Sequence, residues 1–128
     1  MFIERLKGKI HRATVTKADL NYIGSLTLDE DLMDAVGLRE YEKIGVLDIT
    51  NGNRIETYII RGEKGSGQAC INGATAHLIS KEDLVIIGAY CQLNETEAPI
   101  HKPKIVHVNS ENQVTFLASE EPVWFNNP

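Results

Sequence analysis

The chain has 128 residues, enough for one domain that buries about two-thirds of the surface its unfolded form exposes. Thirteen basic against eighteen acidic residues give a net charge of −5, and no Lys/Arg run exceeds two residues, which excludes a surface built to track nucleic-acid phosphates. The first residues lack the apolar core of a signal peptide, and runs such as Leu84 to Ala89 are far too short to span a membrane, so a soluble, cytoplasmic chain is expected.

In chain order, residues 1–15 place Phe2, Ile3, Leu6, Ile10, Ala13 and Val15 among basic residues, with β-branched enrichment toward Thr16. This predicts a strand with its lead-in. Thr27-Leu28-Asp29-Glu30 resembles a capping box and Gly37 supplies a stop, which predicts a short helix from about Asp29 to Val36. The acidic run Asp29, Glu30, Asp31 then complements the helix dipole and does not mark a metal site. Lys43 to Thr50 and Arg54 to Arg61 read as a hairpin joined at Asn51-Gly52. Ala69 to Ile71 and Asp83 to Gln92 predict further strands, the second apolar enough to be buried on both faces, with a helical turn over Gly73 to Leu78 between them. Ile105 to Val108 and Val114 to Leu117 form a late pair connected by Asn109 to Asn112. The remainder, 118–128, reads as a tail whose Pro122-Val123-Trp124-Phe125 is expected to pack on a neighbouring subunit. Many short strands with one helix favour a small closed β-barrel over a β-α-β sheet.

Several motifs fail on inspection. Gly62-Glu63-Lys64-Gly65-Ser66-Gly67 lacks the Lys and Ser/Thr of a phosphate loop and reads as a flexible hairpin loop. A dinucleotide fingerprint from Gly65 meets Cys70 at its third glycine. Cys70 with His77, or His101 with His107, lack metal-site spacing and a third ligand, so no metal is expected. Cys70 and Cys91 sit in apolar runs and are expected to be free buried thiols. Asn94-Glu95-Thr96 has no meaning as a glycosylation acceptor without a secretory signal.

Gly24-Ser25 carries more chemistry, because a serine hydroxyl after glycine can attack the peptide bond that precedes it. In Arg54-Ile55-Glu56-Thr57-Tyr58, strand alternation puts Arg54, Glu56 and Tyr58 on one face and Thr57 on the other. A guanidinium that can clamp a carboxylate thus shares a face with a phenol, while Thr57 needs a bend or bulge to join them. Lys9 and His11 in Gly8-Lys9-Ile10-His11-Arg12, Asp19-Leu20 and Tyr22 before Gly24-Ser25, Thr50-Asn51-Gly52 with Arg54, Thr57-Tyr58, Gly65-Ser66, and Asn72-Gly73-Ala74 with Ala76-His77 complete a pattern across five segments. Over about residues 1–117 this pattern resembles the pyruvoyl-dependent aspartate 1-decarboxylase family.

The resemblance implies that Ser25 attacks the Gly24 carbonyl carbon, that an N-to-O acyl shift and β-elimination follow, and that Ser25 becomes a covalent pyruvoyl group heading residues 25–128. It implies Thr57 as the hydrogen-bond donor to the oxyanion during that maturation. In the mature enzyme the ketone would form a Schiff base with L-aspartate, which loses its α-carboxylate to give β-alanine for pantothenate biosynthesis. Tyr58 is implied as the proton donor, Lys9 and Arg54 as the cations for the substrate carboxylates, and Asn72 with the backbone of Gly73, Ala74 and Thr75 as substrate contacts. Arg54 should hold the carboxylate that stays, since its fork fixes orientation while a tight ion pair on the leaving group would stabilise the ground state. His11 either takes part or only orients its neighbours. Thr75 departs from the alanine more common there, and Ile23 stands where some relatives carry an acidic residue.

The implied fold is a six-stranded double-psi β-barrel over 1–117, in a homotetramer with each site at a subunit boundary. A separate maturation factor is left open. Two other readings remain at this point: a barrel homologue that keeps the fold without processing, and a pyruvoyl decarboxylase for another amino acid such as glutamate.

Overall fold

The computed structural model describes residues 1–121, so the aromatic segment 122–125 lies outside the described residues. The elements run β1 (Phe2–Thr14), β2 (Lys17–Asp19), β3 (Ser25–Asp29), α1 (Glu30–Val36), β4 (Lys43–Asp48), β5 (Arg54–Gly62), β6 (Ala69–Asn72), a 3-10 turn (Gly73–His77), β7 (Leu84–Asn94), a second 3-10 turn (Ala98–Ile100), β8 (Lys104–Val108) and β9 (Val114–Ala118). The chain is mainly β, as expected. Its strands form one sheet in the order β2-β6-β3-β5-β4-β7-β1-β8-β9, a mixed arrangement consistent with a β-barrel. Parallel pairs (β1 with β8, β2 with β6, β3 with β5) are interspersed among antiparallel ones, so neighbours in space are often far apart in sequence.

The expected strand at the start of the chain is longer than its β-branched part. β1 pairs antiparallel with β7 from Phe2 to Thr14, with register shifts between Leu6 and Gly8 and between Ile10 and Ala13. Arg12, within the second shift, takes φ 64°, which is the local bend expected where a strand carries an extra residue. At Gly8 a Cβ would stand 2.7 Å from Val36 Cγ1 and 2.9 Å from the Lys104 carbonyl oxygen, so the helix and β8 close directly on the glycine backbone.

The helix forms as predicted, but its cap differs. Asp29 is the N-cap, with Oδ1 accepting from the Asp31 N–H, and Gly37 ends the helix at φ 82°. Thr27 lies instead inside β3, a strand the sequence pattern does not reveal because it runs straight into the cap. Leu26, Leu28, Leu32, Met33, Ile44, Ile59, Ile71, Ile79 and Ile87 are fully buried in one core cluster. Each such side chain stabilises the fold by about 1.5–3 kcal/mol through removal of apolar surface from water.

The β4–β5 hairpin is present with Gly52 at φ 81°, in unbroken register from Lys43 opposite Tyr58 to Leu47 opposite Arg54. The bulge that would turn Thr57 toward Arg54 and Tyr58 is therefore absent along this ladder. The loop 63–68 is not a hairpin loop, because β3 lies between β5 and β6. It is tied down: the Asp29 carboxylate accepts from the Gly65 and Gly67 N–H groups at 2.9 and 2.8 Å, and Asn112 Nδ2 donates to the Gly67 carbonyl. A carboxylate that caps a helix and anchors a loop satisfies several backbone donors at once.

β7 is buried only as far as Ala89, beyond which Tyr90 is exposed, so its second half is not covered on both faces by the described residues. The cysteines are free; Cys70 is buried, whereas Cys91 in the uncovered half of β7 is half-buried. Among the described residues no helix is long and apolar enough to cross a membrane, and no cluster of three metal-ligating side chains gathers.

Candidate active site

Gly24-Ser25 stands where the chain passes from solvent into the core. Ile23 is 74% exposed and Ser25 only 1%, so the peptide bond between Gly24 and Ser25 spans the boundary. The loop leading to it is anchored twice on one residue: Asn72 of β6 pairs with Asp19 of β2 on one side and with Ser25 of β3 on the other. The loop 20–24 therefore leaves β6 and returns to it.

Around Ser25 the polar contacts converge on Asn72. The Asn72 Nδ2 group donates to Ser25 Oγ at 3.3 Å and to Thr27 Oγ1 at 3.0 Å, while the Ser25 hydroxyl donates to the Ile23 carbonyl at 3.4 Å. Both contacts of Ser25 are long, so its hydroxyl is held without being locked. Asn72 is itself buried. Gly73 follows it at φ 74°, and a Cβ there would lie 2.5 Å from Gly24 Cα, 2.8 Å from Gly24 N and 3.1 Å from the Tyr22 carbonyl oxygen. Both the backbone angle and the contact require glycine. The Thr75 hydroxyl donates to the Asn72 carbonyl at 3.0 Å, and the 3-10 turn continues with Ala74 exposed. The hydroxyl that distinguishes Thr75 from alanine is thus spent on its own backbone turn.

Thr57 and Tyr58 approach from the other side of β3. The parallel β3–β5 ladder begins with Leu26 beside Ile59, so Thr57 and Tyr58 precede the first paired residue of β5 as Gly24 and Ser25 precede that of β3. Thr57 alternates with Ile55 and Ile59, both packed on the core, and Tyr58 with Arg54 and Glu56. The Tyr58 ring tilts against Tyr41 at 6.3 Å between centroids.

The two cations lie elsewhere. Arg54, at the exposed start of β5, borders a surface groove with Glu4, Lys43, Glu56 and Tyr90, and Ser25 is not among the residues lining it. Lys9, on β1, pairs with Glu121 at 2.5 Å. His11, two residues along β1, is buried beside His107 of β8, with ring centroids 5.3 Å apart. Burial first, then the charges of Lys9, His107 and Arg12, lower the His11 imidazole from 6.5 to about 4. It is therefore uncharged at neutral pH, which suits packing and orientation better than proton supply. One chain thus gathers Gly24, Ser25, Asn72, Gly73 and Thr75, carries Thr57 and Tyr58 on the strand that pairs with β3, and leaves Lys9 and Arg54 on other parts of the sheet.

Thr27 is the partner of Asn72 that the sequence pattern hides. Reading β3 as a strand would have placed it two residues from Ser25 and on the same face.

A profile of the family described as Aspartate decarboxylase matches residues 1–115. The chain is 57% identical over 121 residues to the Aspartate 1-decarboxylase of Caldicellulosiruptor bescii, covering 94% of both chains. It is 56% identical over 120 residues to that of Corynebacterium efficiens (92% of this chain, 88% of the relative), and 52% over 122 residues to that of Neisseria meningitidis serogroup C (95% and 96%). With residues 1–115 matched by the family profile and more than half its residues shared with such relatives, the chain belongs to the aspartate decarboxylase family.

Proposed function

We propose that this chain is an aspartate 1-decarboxylase of pantothenate biosynthesis, a carboxy-lyase that makes its own pyruvoyl group by breaking the Gly24–Ser25 bond. The observation that carries this reading is the seating of a buried serine hydroxyl on Asn72 at a peptide bond that crosses from solvent to core.

In the cleavage, the Ser25 oxygen bonds to the Gly24 carbonyl carbon, the Gly24–Ser25 C–N bond breaks, and the hydroxyl proton ends on the freed amine. Removal of the Ser25 α-proton then breaks the Cβ–O bond, leaving a carboxylate on Gly24 and dehydroalanine at 25. Water hydrolyses the latter through its imine and releases ammonia. Thr57, on the strand that pairs with β3, supplies the hydroxyl donor for the oxyanion of the first step. Gly73 suits the site because nothing larger fits against Gly24.

The residues fit the group that results: position 25 is enclosed, and Asn72 Nδ2 offers a donor to an oxygen there. When formed, the pyruvoyl group supplies an electrophilic ketone and an electron sink for loss of the aspartate α-carboxylate. Tyr58, which follows Thr57 on β5, holds the proton for the carbon that loses carbon dioxide. Arg54 grips the carboxylate that stays, and Lys9 serves the other once Glu121 gives way. Asn72 and the Gly73, Ala74 and Thr75 backbone border the substrate. Since Arg54 and Lys9 lie apart from Ser25 in one chain, the reading includes a homotetramer with sites shared between subunits. It also takes 1–117 as one domain and 118–128 as a tail.

The test is the intact mass of purified protein under denaturing conditions. Two fragments, 1–24 and 25–128, with a carbonyl at residue 25 and carbon dioxide released from aspartate in preference to glutamate, are expected. A chain that stays whole after long incubation overturns the proposal.

A further inference from the structure

Asn72 is held from both ends by hydroxyl groups that the cleavage and decarboxylation steps do not use. Its side-chain NH2 carries two hydrogens in a fixed plane; Thr27 Oγ1 takes one at 3.0 Å and Ser25 Oγ the other at 3.3 Å. The shorter bond sets the plane of the amide, and the longer one depends on it. At the backbone end, the Thr75 hydroxyl donates to the Asn72 carbonyl at 3.0 Å. That bond steadies the turn into Gly73, which abuts Gly24 so closely that a Cβ would stand 2.5 Å from the Gly24 Cα.

We propose that Thr27 and Thr75 are positioning residues for self-cleavage, which act through Asn72 to hold the Ser25 hydroxyl and the Gly24 backbone in register for attack. Thr27 fixes the donor that reaches Ser25, and Thr75 fixes the peptide that backs Gly24. Neither touches the bond that breaks. Both limit the orientations an amide and a glycine peptide would otherwise sample, and a small displacement of reacting atoms slows a step out of proportion to its size.

The proposal rests on self-cleavage at Gly24–Ser25, and its test separates the two. Full-length chain is purified promptly and its conversion to fragments is followed by denaturing mass spectrometry for wild type, Thr27→Val, Thr27→Ser, Thr75→Ala and Thr75→Ser. Valine keeps the shape of Thr27 and removes its acceptor, so cleavage should slow by about five- to tenfold, with serine restoring it to within about twofold. Thr75→Ala should slow cleavage to a smaller degree and Thr75→Ser should not. In an uncleavable Ser25→Ala chain, Thr27→Val should speed hydrogen exchange of the Asn72 side-chain amide in NMR spectra while core backbone amides stay protected. Wild-type cleavage rates in Thr27→Val and Thr75→Ala, or an Asn72 amide indifferent to Thr27, would overturn the positioning roles while leaving self-cleavage intact. A wild-type chain that never cleaves overturns both. The Ser25→Ala spectra also decide the case in which a valine variant folds poorly, because loss of protection across the core, and not at Asn72 alone, speaks against positioning.

Discussion

The β3–β6 pair and the outer start of β5 treat their polar groups in opposite ways. At β3–β6, Ser25 and Asn72 are buried, bonded to each other and backed by a glycine with no free space. At the start of β5, Arg54 and Glu56 stand in solvent, and Glu56 meets Lys43 at 2.5 Å with both side chains mostly exposed. Buried polar groups need nearly every partner in place, because an unmet one costs about 1–3 kcal/mol, whereas an exposed ion pair contributes little and rearranges easily. On the proposed reading, chemistry on the chain itself would be built where partners are fixed, and binding of an outside molecule where groups can change partners.

The largest test of that contrast is Ser25→Ala. It should leave the chain whole on a mass spectrum and abolish decarboxylation, while the melting temperature falls only slightly, because Thr27 still accepts from Asn72 Nδ2 when the Ser25 acceptor is gone. Gly73→Ala comes next. A Cβ forced to φ 74° and into Gly24 should cost about 2 kcal/mol or more in denaturant unfolding and stop cleavage; a stable variant that still cleaves would show that the fit at Gly24 is looser than these distances imply. Arg54→Lys should leave cleavage untouched and raise KM about tenfold through loss of the bidentate fork. An unchanged KM with a lower kcat would move Arg54 from substrate binding to chemistry.

The smallest effect probes a third, buried polar pair. Asp48, 3% exposed, holds the Thr50 and Asn51 N–H groups with Oδ1. Burial, and then the neighbouring Asp83 carboxyl, raise its pKa from 3.8 to about 6. The folded state therefore keeps a proton that the unfolded chain has lost between about pH 4 and 6. The stability this proton confers is full below about 4 and disappears as pH rises through 6. Asp48→Asn keeps the Oδ1 acceptor and adds a donor for Asp83. It should melt about 5 °C above wild type at pH 7.5, with the gap closing toward pH 4; a gap independent of pH would mean that Asp48 is ionised throughout.

Where the sequence carries a local signal, the element it marks is present. Asn51-Gly52 marked the hairpin because that turn needs φ > 0, and Gly37 marked the helix end for the same reason. β3 left no such mark, being five residues long and continuous with the Asp29 cap. Its parallel partner β5 begins pairing at Ile59, thirty-three positions beyond Leu26, and no local pattern encodes a pairing of that range. Missing β3 made the loop 63–68 look like a hairpin and sent Thr27 to a helix cap. The candidate site residues were legible as a resemblance, since Gly24-Ser25, Thr57-Tyr58 and Asn72-Gly73 are contiguous words. That Asn72 sits between Asp19 and Ser25 was not, because it depends on both edges of β6.

β1 lies inside the sheet, laddered antiparallel to β7 along most of its length and parallel to β8 from Gly8 to His11. After a cut at Gly24, the piece 1–24 would therefore be a structural member of the fold, woven between two strands of the other piece, and no trimmed leader. Severing the chain would turn one polypeptide into a two-component assembly whose parts share no covalent bond. Refolding after denaturation would then become a bimolecular reaction, with a yield that depends on protein concentration where the uncut chain's does not.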